Sequence, residues 1–231
     1  MHNITRLAAT ITTALLATTA LAAPAPSNAG MTIISAGDQV DYVSPNANTR
    51  FCTIGYAYSG PDLHTYAITA GHCADSTSGY ARDARVRLTG NFVQTLVEPP
   101  RSGGADYGLI DFGKNSVPST VMGDAPTTDD HPQPQVGESI CHLGVSSGQH
   151  CGQITATQGT DQYLTTGMPA SIPGDSGGPV WTRAAHGFVQ IIGIWLGQKT
   201  TAAGQEYGRF ASLARGLQLL SASSYSPGRR D

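Results

Sequence analysis

The chain has 231 residues, a formal net charge of −3, 13% charged side chains and 28 glycines. That length suits one large domain or two small ones sharing a core. The weak negative charge excludes binding driven by bulk attraction to nucleic acid or to an anionic membrane. Sparse charge with many turn formers points to an all-β chain and away from a helical bundle.

The first segment reads as an export leader. His2 and Arg6 precede a run of Ala, Leu, Ile and Thr over 7–23, with small-x-small cleavage sites at Ala20-Leu21-Ala22 and Ser27-Asn28-Ala29. The run is short, is interrupted by Thr and is followed by Pro24 and Pro26, which argues against a membrane anchor. The predicted organisation is a signal peptide over 1–22 (or to 29), a spacer over 23–30, one domain over 31–220 and a disordered tail over 221–231. The expected product is a secreted monomer with no nucleic-acid partner and no membrane attachment after leader removal.

From Met31 onward, strand-length runs rich in Ile, Val, Tyr and Thr alternate with Gly, Asn, Asp and Pro clusters. Such runs lie at 65–69, 86–88, 107–112, 153–157 and 189–196. A Pro/Asp/Thr-rich connection over 115–135 divides the domain into parts at 31–115 and 135–209. Helical spacing emerges only over 210–220, through Leu213, Leu217 and Leu220. Many strands and one late helix predict a sandwich or barrels.

Cys52, Cys73, Cys141 and Cys151 make an even set, which in an exported chain predicts disulfides. Four cysteines allow three pairings, of which the two sequence-local ones, Cys52–Cys73 and Cys141–Cys151, are favoured. Cys141-His142 and His150-Cys151 bring thiols and imidazoles together. They lack the close cysteine pair of structural zinc sites, so no metal and no cofactor is expected.

The chemistry concentrates in three strings. Gly174-Asp175-Ser176-Gly177-Gly178-Pro179 surrounds a serine with glycines. A serine hydroxyl needs a base to take its proton, and the oxyanion it creates needs fixed N–H donors. Glycines let the backbone turn and aim its amides at one point. The string also fits the nucleophile elbow of α/β-hydrolases, but that fold places the acid and the His after the Ser. Here the best candidates precede it. His72 in Thr69-Ala70-Gly71-His72-Cys73 follows an apolar strand and adjoins a predicted crosslink. Asp106 heads the strand Asp106-Tyr107-Gly108-Leu109-Ile110-Asp111, where a buried carboxylate needs a partner such as an imidazole N–H. Asp111 is the competing acid.

These three strings, in this order, resemble those of the chymotrypsin-like serine proteases. The stretch from Val136 through Cys141-His142-Leu143-Gly144 to Cys151-Gly152 resembles more narrowly the bacterial streptogrisin and α-lytic protease branch. The resemblance covers roughly residues 32–220. It implies two packed six-stranded antiparallel β-barrels with a C-terminal helix, and a cleft between them. It implies a triad of His72, Asp106 and Ser176, an oxyanion hole from the N–H groups of Gly174 and Ser176, and protein or peptide substrates. It places the substrate-binding pocket at Ala170, Ser171, Trp195, Leu196 and Gly197, with uncharged Ala170 at its floor. Cleavage after apolar residues is the expectation. It further implies that Asp175 is buried and neutralised by a cation, for which His142 is the candidate. The chain departs from the pattern in two places. No Ser opens Gly193-Ile194-Trp195-Leu196-Gly197, and Ile172 stands where relatives often carry a cysteine. A catalytically silent relative acting as a binding protein is the competing reading.

Overall fold

The computed structural model describes residues 30–46, 48–99 and 102–224. The predicted leader, nearly all of the spacer and residues 225–231 of the tail lie outside the described residues.

From Met31 onward the chain is one unit. Its first half runs through β1 (Thr32–Ile34), β2 (Gln39–Val43), β3 (Thr49–Thr53), β4 (Tyr56–Ser59), β5 (Thr65–Thr69), β6 (Tyr80–Asp83), β7 (Thr89–Val97) and β8 (Asp106–Asp111). Strands β2 to β8 form one curled sheet in the order β3-β2-β6-β7-β8-β5-β4. Only Ile54 and Gly55 separate β3 from β4, so these are halves of one bent strand. One half pairs with β2 and the other with β5, and the sheet closes on itself through that strand.

The connection over 115–135 carries β9 (Ser116–Pro118), which runs parallel to β1, and a small hairpin of β10 (Val121–Met122) and β11 (Ala125–Pro126). The second half is β12 (Ser139–Gly144), β13 (Gly148–Gln158), β14 (Gln162–Thr166), β15 (Pro179–Arg183), β16 (Val189–Thr200) and β17 (Glu206–Ser212). These close a six-stranded barrel in the order β12-β13-β14-β17-β16-β15. Helix α1 (Leu213–Ser224) ends the described chain. The expected all-β double barrel with one late helix is the observed architecture.

Strand parity decides which side chains reach the core. In β12 the odd positions face outward, where Cys141 lies directly opposite Cys151 of β13. The alternation therefore turns Ile140 and His142 inward. The interior of the second barrel is a cluster of Ile140, Ile154, Val180, Ile192, Trp195 and Phe210. The larger cluster fills the first barrel and extends to Trp181, Leu196, Leu213 and Leu220. The helix packs close to the first barrel at Gly216, where a Cβ would press into the Tyr107 ring. The Tyr107 hydroxyl donates to the Ser212 carbonyl at 2.8 Å.

Two boundary expectations change. The run at 86–88 is a turn, because the Asp83 carboxylate accepts the N–H groups of Arg85 and Val86 and Arg87 takes a φ of 59°. The helix begins at Leu213 and not at 210, because Phe210 and Ala211 are still paired in β17.

Candidate active site

Strand β5 delivers the chain to Ala70 and a single 3-10 turn, Gly71–Cys73, that carries His72. A Cβ on Gly71 would meet the Leu96 carbonyl at 2.8 Å and the Tyr107 nitrogen at 2.9 Å, so only glycine lets the turn sit this close to β7 and β8. The Cys52–Cys73 disulfide ties the turn to β3. Asp106, at the head of β8, uses both oxygens on His72. Oδ1 accepts the backbone N–H at 2.9 Å and Oδ2 faces ring Nδ1 at 2.8 Å. With Nδ1–H donated to the carboxylate, Nε2 holds the ring's lone pair. The Asp106 side chain is 10% exposed and that of His72 38%, so the acid is enclosed while the base is open to a substrate. Asp111, the competing acid, instead pairs with His64 at 2.9 Å.

Ser176 sits on a loop clamped from both barrels. Its carbonyl accepts the Thr53 N–H at 2.8 Å, and the Thr53 hydroxyl donates to the Gly174 carbonyl at 2.8 Å. The same hydroxyl accepts the Val145 N–H at 3.1 Å. On the other side, the Gly177 N–H donates to Trp195 at 2.7 Å and the Trp195 N–H to Gly178 at 2.8 Å. Gly174 and Gly177 take φ values of 104° and 87°, open only to glycine at low cost. A Cβ on Gly177 would strike Thr69 and Thr53. Cys73 Sγ lies 3.9 Å from the Ser176 carbonyl oxygen, so the His72 turn and the Ser176 loop meet. Among the described residues, the N–H groups of Gly174 and Ser176 have no acceptor. Two free amides flanking one hydroxyl can hold a developing oxyanion.

Asp175 and His142 are both buried, but not as the expected pair. Asp175 Oδ1 accepts the N–H groups of Ser146 and Ser147 at 3.2 and 3.0 Å, and Oδ2 that of Ile172 at 3.3 Å. Among the described residues no ion pair joins Asp175 to His142. His142 is 1% exposed and stacks on Trp195, with ring centroids 4.0 Å apart and planes 2° apart. Burial pushes its pKa down to about 4, and the opposing pull of Asp175 is smaller. The expected imidazolium is therefore a neutral ring. Three backbone amides do the work assigned to a cation, because the turn after Gly144 folds directly onto the carboxylate.

The residues expected to form the pocket divide. Ala170 and Ser171 line a depression with Gln198 and Gly208. Trp195 and Leu196 are 0% and 4% exposed, the first inside the second barrel and the second in the larger core. Gly197, with a φ of 101°, approaches Ser171. Sequence reasoning missed Thr53, whose role depends on the docking of two distant segments and leaves no local signal. It also missed Arg209, whose pKa is lowered by burial and drawn up again by the charge of Asp106.

No family model matches this chain. An uncharacterised protein of Mycobacterium tuberculosis is 29% identical over 196 residues, which are 79% of this chain and 83% of that protein. Serine protease 2 of Streptomyces fradiae is 27% identical over 143 residues, 56% of this chain and 79% of that protein. Among solved structures, the chymotrypsin of Cellulomonas bogoriensis superposes with a TM-score of 0.59 at 24% identity, covering 82% of this chain and 96% of that one.

Proposed function

We propose that this chain, which has the fold of the bacterial chymotrypsin-like serine proteases, is a secreted serine endopeptidase that cleaves after apolar residues. The observation that carries the reading is the double use of Asp106 on His72, at 2.9 and 2.8 Å, beside a serine loop with two unpartnered amides. In this reading Ser176 Oγ attacks the scissile carbonyl carbon while His72 Nε2 takes its proton. The carbonyl oxygen becomes an oxyanion held by the Gly174 and Ser176 N–H groups. The C–N bond then breaks, the leaving amine takes the proton from His72, and an acyl-enzyme remains on Ser176. Water, deprotonated by the same nitrogen, releases the acid and restores the serine. Asp106 holds the ring in the required tautomer and stabilises the imidazolium. The uncharged Ala170 offers no partner to a buried Lys or Arg side chain, which supports an apolar preference. Two disulfides and the predicted leader support export.

The test is labelling by a fluorophosphonate probe, read by mass spectrometry, together with cleavage of a peptide library. Ser176 should be the labelled residue. Ser176→Ala and His72→Ala should each remove nearly all cleavage, and the double variant should be scarcely worse than either, because such groups act as a unit. A folded protein that neither labels nor cleaves would instead be a silent homologue.

A further inference from the structure

We propose that the indole of Trp195 fills the recess that would seat the side chain preceding the scissile bond, so that the enzyme cleaves after Gly, Ala or Ser and rejects large side chains. The inference rests on the peptidase reading above and replaces its apolar preference by a limit on side-chain size.

The peptide groups of Trp195 are bonded to the Ser176 loop on both sides, through Gly177 at 2.7 Å and Gly178 at 2.8 Å. Strand β16 therefore runs directly past the nucleophile. A substrate whose carbonyl oxygen meets the Gly174 and Ser176 amides turns its acyl-side residue toward that strand. The space there is bounded by Ala170 and Ser171 on one side and by Gln198 and Gly208 on the other. Ala170, Ser171 and Gly208 contribute little bulk to these walls, and Met168, Gln198 and Tyr207 are the large side chains of the lining.

The indole lies across this space. Its Nε1–H donates to Ser171 Oγ at 3.0 Å. Its six-membered ring reaches Gly208, where a Cβ would collide with Cη2. One face lies flat on His142 at 4.0 Å. Three independent anchors fix one rotamer of a side chain that is 0% exposed. Swinging it aside would strand a buried donor, which is costly. Beside the Ser171 and Gly208 contacts of the indole lies a depression of about 90 Å³. An enclosed cavity of about 150 Å³ holds one benzene ring, and this depression is smaller, which favours a methyl or hydroxymethyl group over a phenyl ring or a long aliphatic chain. Glu206 stands exposed on its lining, where solvent screens its carboxylate and leaves little attraction for a Lys or Arg side chain.

The experiment uses quenched fluorogenic peptides that differ only in the residue before the scissile bond: Gly, Ala, Ser, Leu, Phe or Lys. The wild type should give kcat/KM values for Gly, Ala or Ser at least about tenfold above those for Leu, Phe and Lys, the discrimination a close-fitting pocket supplies. Trp195→Val should raise Leu and Phe relative to Ala by at least about tenfold. Fluorophosphonate labelling of Ser176 does not depend on this recess and is measured in parallel. Absence of labelling in the wild type would overturn the peptidase reading itself. Labelling combined with preferred cleavage after Phe, Leu or Lys would overturn only the closed recess. So would a folded, labelled Trp195→Val enzyme with the wild-type ranking. If that variant does not fold, the wild-type ranking alone decides.

Discussion

A neutral imidazole buried against an indole binds a proton less readily than the same ring in an unfolded chain. His142 has this environment, and its pKa falls from 6.5 to about 4 on folding. Between those values the unfolded chain binds the extra proton and the folded chain does not. Stability is therefore complete above about pH 6.5 and is lost as pH falls toward 4. The size is on the order of 3 kcal/mol at about 1.4 kcal/mol per pKa unit. His142→Phe keeps the stack and removes the proton site, so its urea midpoint should lack this acid slope.

Asp83 works in the opposite sense. Burial, reinforced by nearby Asp38, pushes its carboxyl up from 3.8 to about 6, and one of its oxygens is buried with no partner. The folded chain now holds the proton more tightly, so stability falls as pH rises from about 4 through 6. The two slopes oppose one another, which flattens the wild-type profile between pH 4 and 6. Asp83→Asn retains an acceptor for the Arg85 and Val86 amides and should stabilise the protein at pH 8, measured by denaturant unfolding. It should also expose the His142 slope in full. Little of this was legible in the sequence. The strings around His72, Asp106 and Ser176 are local and announce themselves. Whether His142 is charged depends on which ring covers it and on how a turn folds onto Asp175. Neither is written in neighbouring residues.

The two disulfides belong to different kinds of element. Cys141 and Cys151 face each other across the β12–β13 hairpin, whose register the paired strands already set. Cys52 and Cys73 join β3 to the His72 turn, which Asp106 and the close approach of Gly71 to β7 and β8 hold from the other side. Each closed loop contributes on the order of 3 kcal/mol. Replacing Cys141 and Cys151 by Ser should therefore lower the melting temperature while leaving kcat nearly intact. Replacing Cys52 and Cys73 should lower both, with kcat the more sensitive measure. At this scale the sequence was informative where local pattern and tertiary pairing agree. The β5 run at 65–69 coincides with its strand because its β-branched, aromatic and apolar composition and its near-continuous burial point the same way. The apolar run at 86–88 became a turn because the Asp83 side chain offered its backbone a better partner than a ladder did. The helix lost its first expected turn because β17 needed Phe210 and Ala211 for pairing.

Across the whole molecule, Thr53 ties the first barrel to the Ser176 loop, while Tyr107 to Ser212 and Gln162 to Gly104 bridge the halves elsewhere. The Thr53 N–H and hydroxyl hold the Ser176 and Gly174 carbonyls, and its hydroxyl also receives the Val145 amide. Thr53→Val keeps the shape and leaves the buried Gly174 carbonyl unpaired, at a cost of about 1–3 kcal/mol, and frees the half-buried Val145 N–H at a smaller one. The Gly174 amide should lose its aim. The expected result is a fall in kcat with little change in KM, alongside a slower rate of fluorophosphonate labelling. Unchanged kinetics in a destabilised variant would show that the clamp serves stability alone. The double-barrel architecture was legible from strand spacing and turn residues. This clamp was not, because it joins positions 121 residues apart.

The clamp also separates two optical and chemical clocks. Both tryptophans of the chain, Trp181 and Trp195, lie on strands of the second barrel. Trp181 belongs to the larger cluster that fills the first barrel, so in a Trp181→Phe variant the remaining indole emission, that of Trp195, follows the second half. Return of Ser176 reactivity requires Thr53 of the first barrel to reach the loop. The interval between recovered emission and recovered labelling is thus a direct timing of how long two finished halves take to find each other.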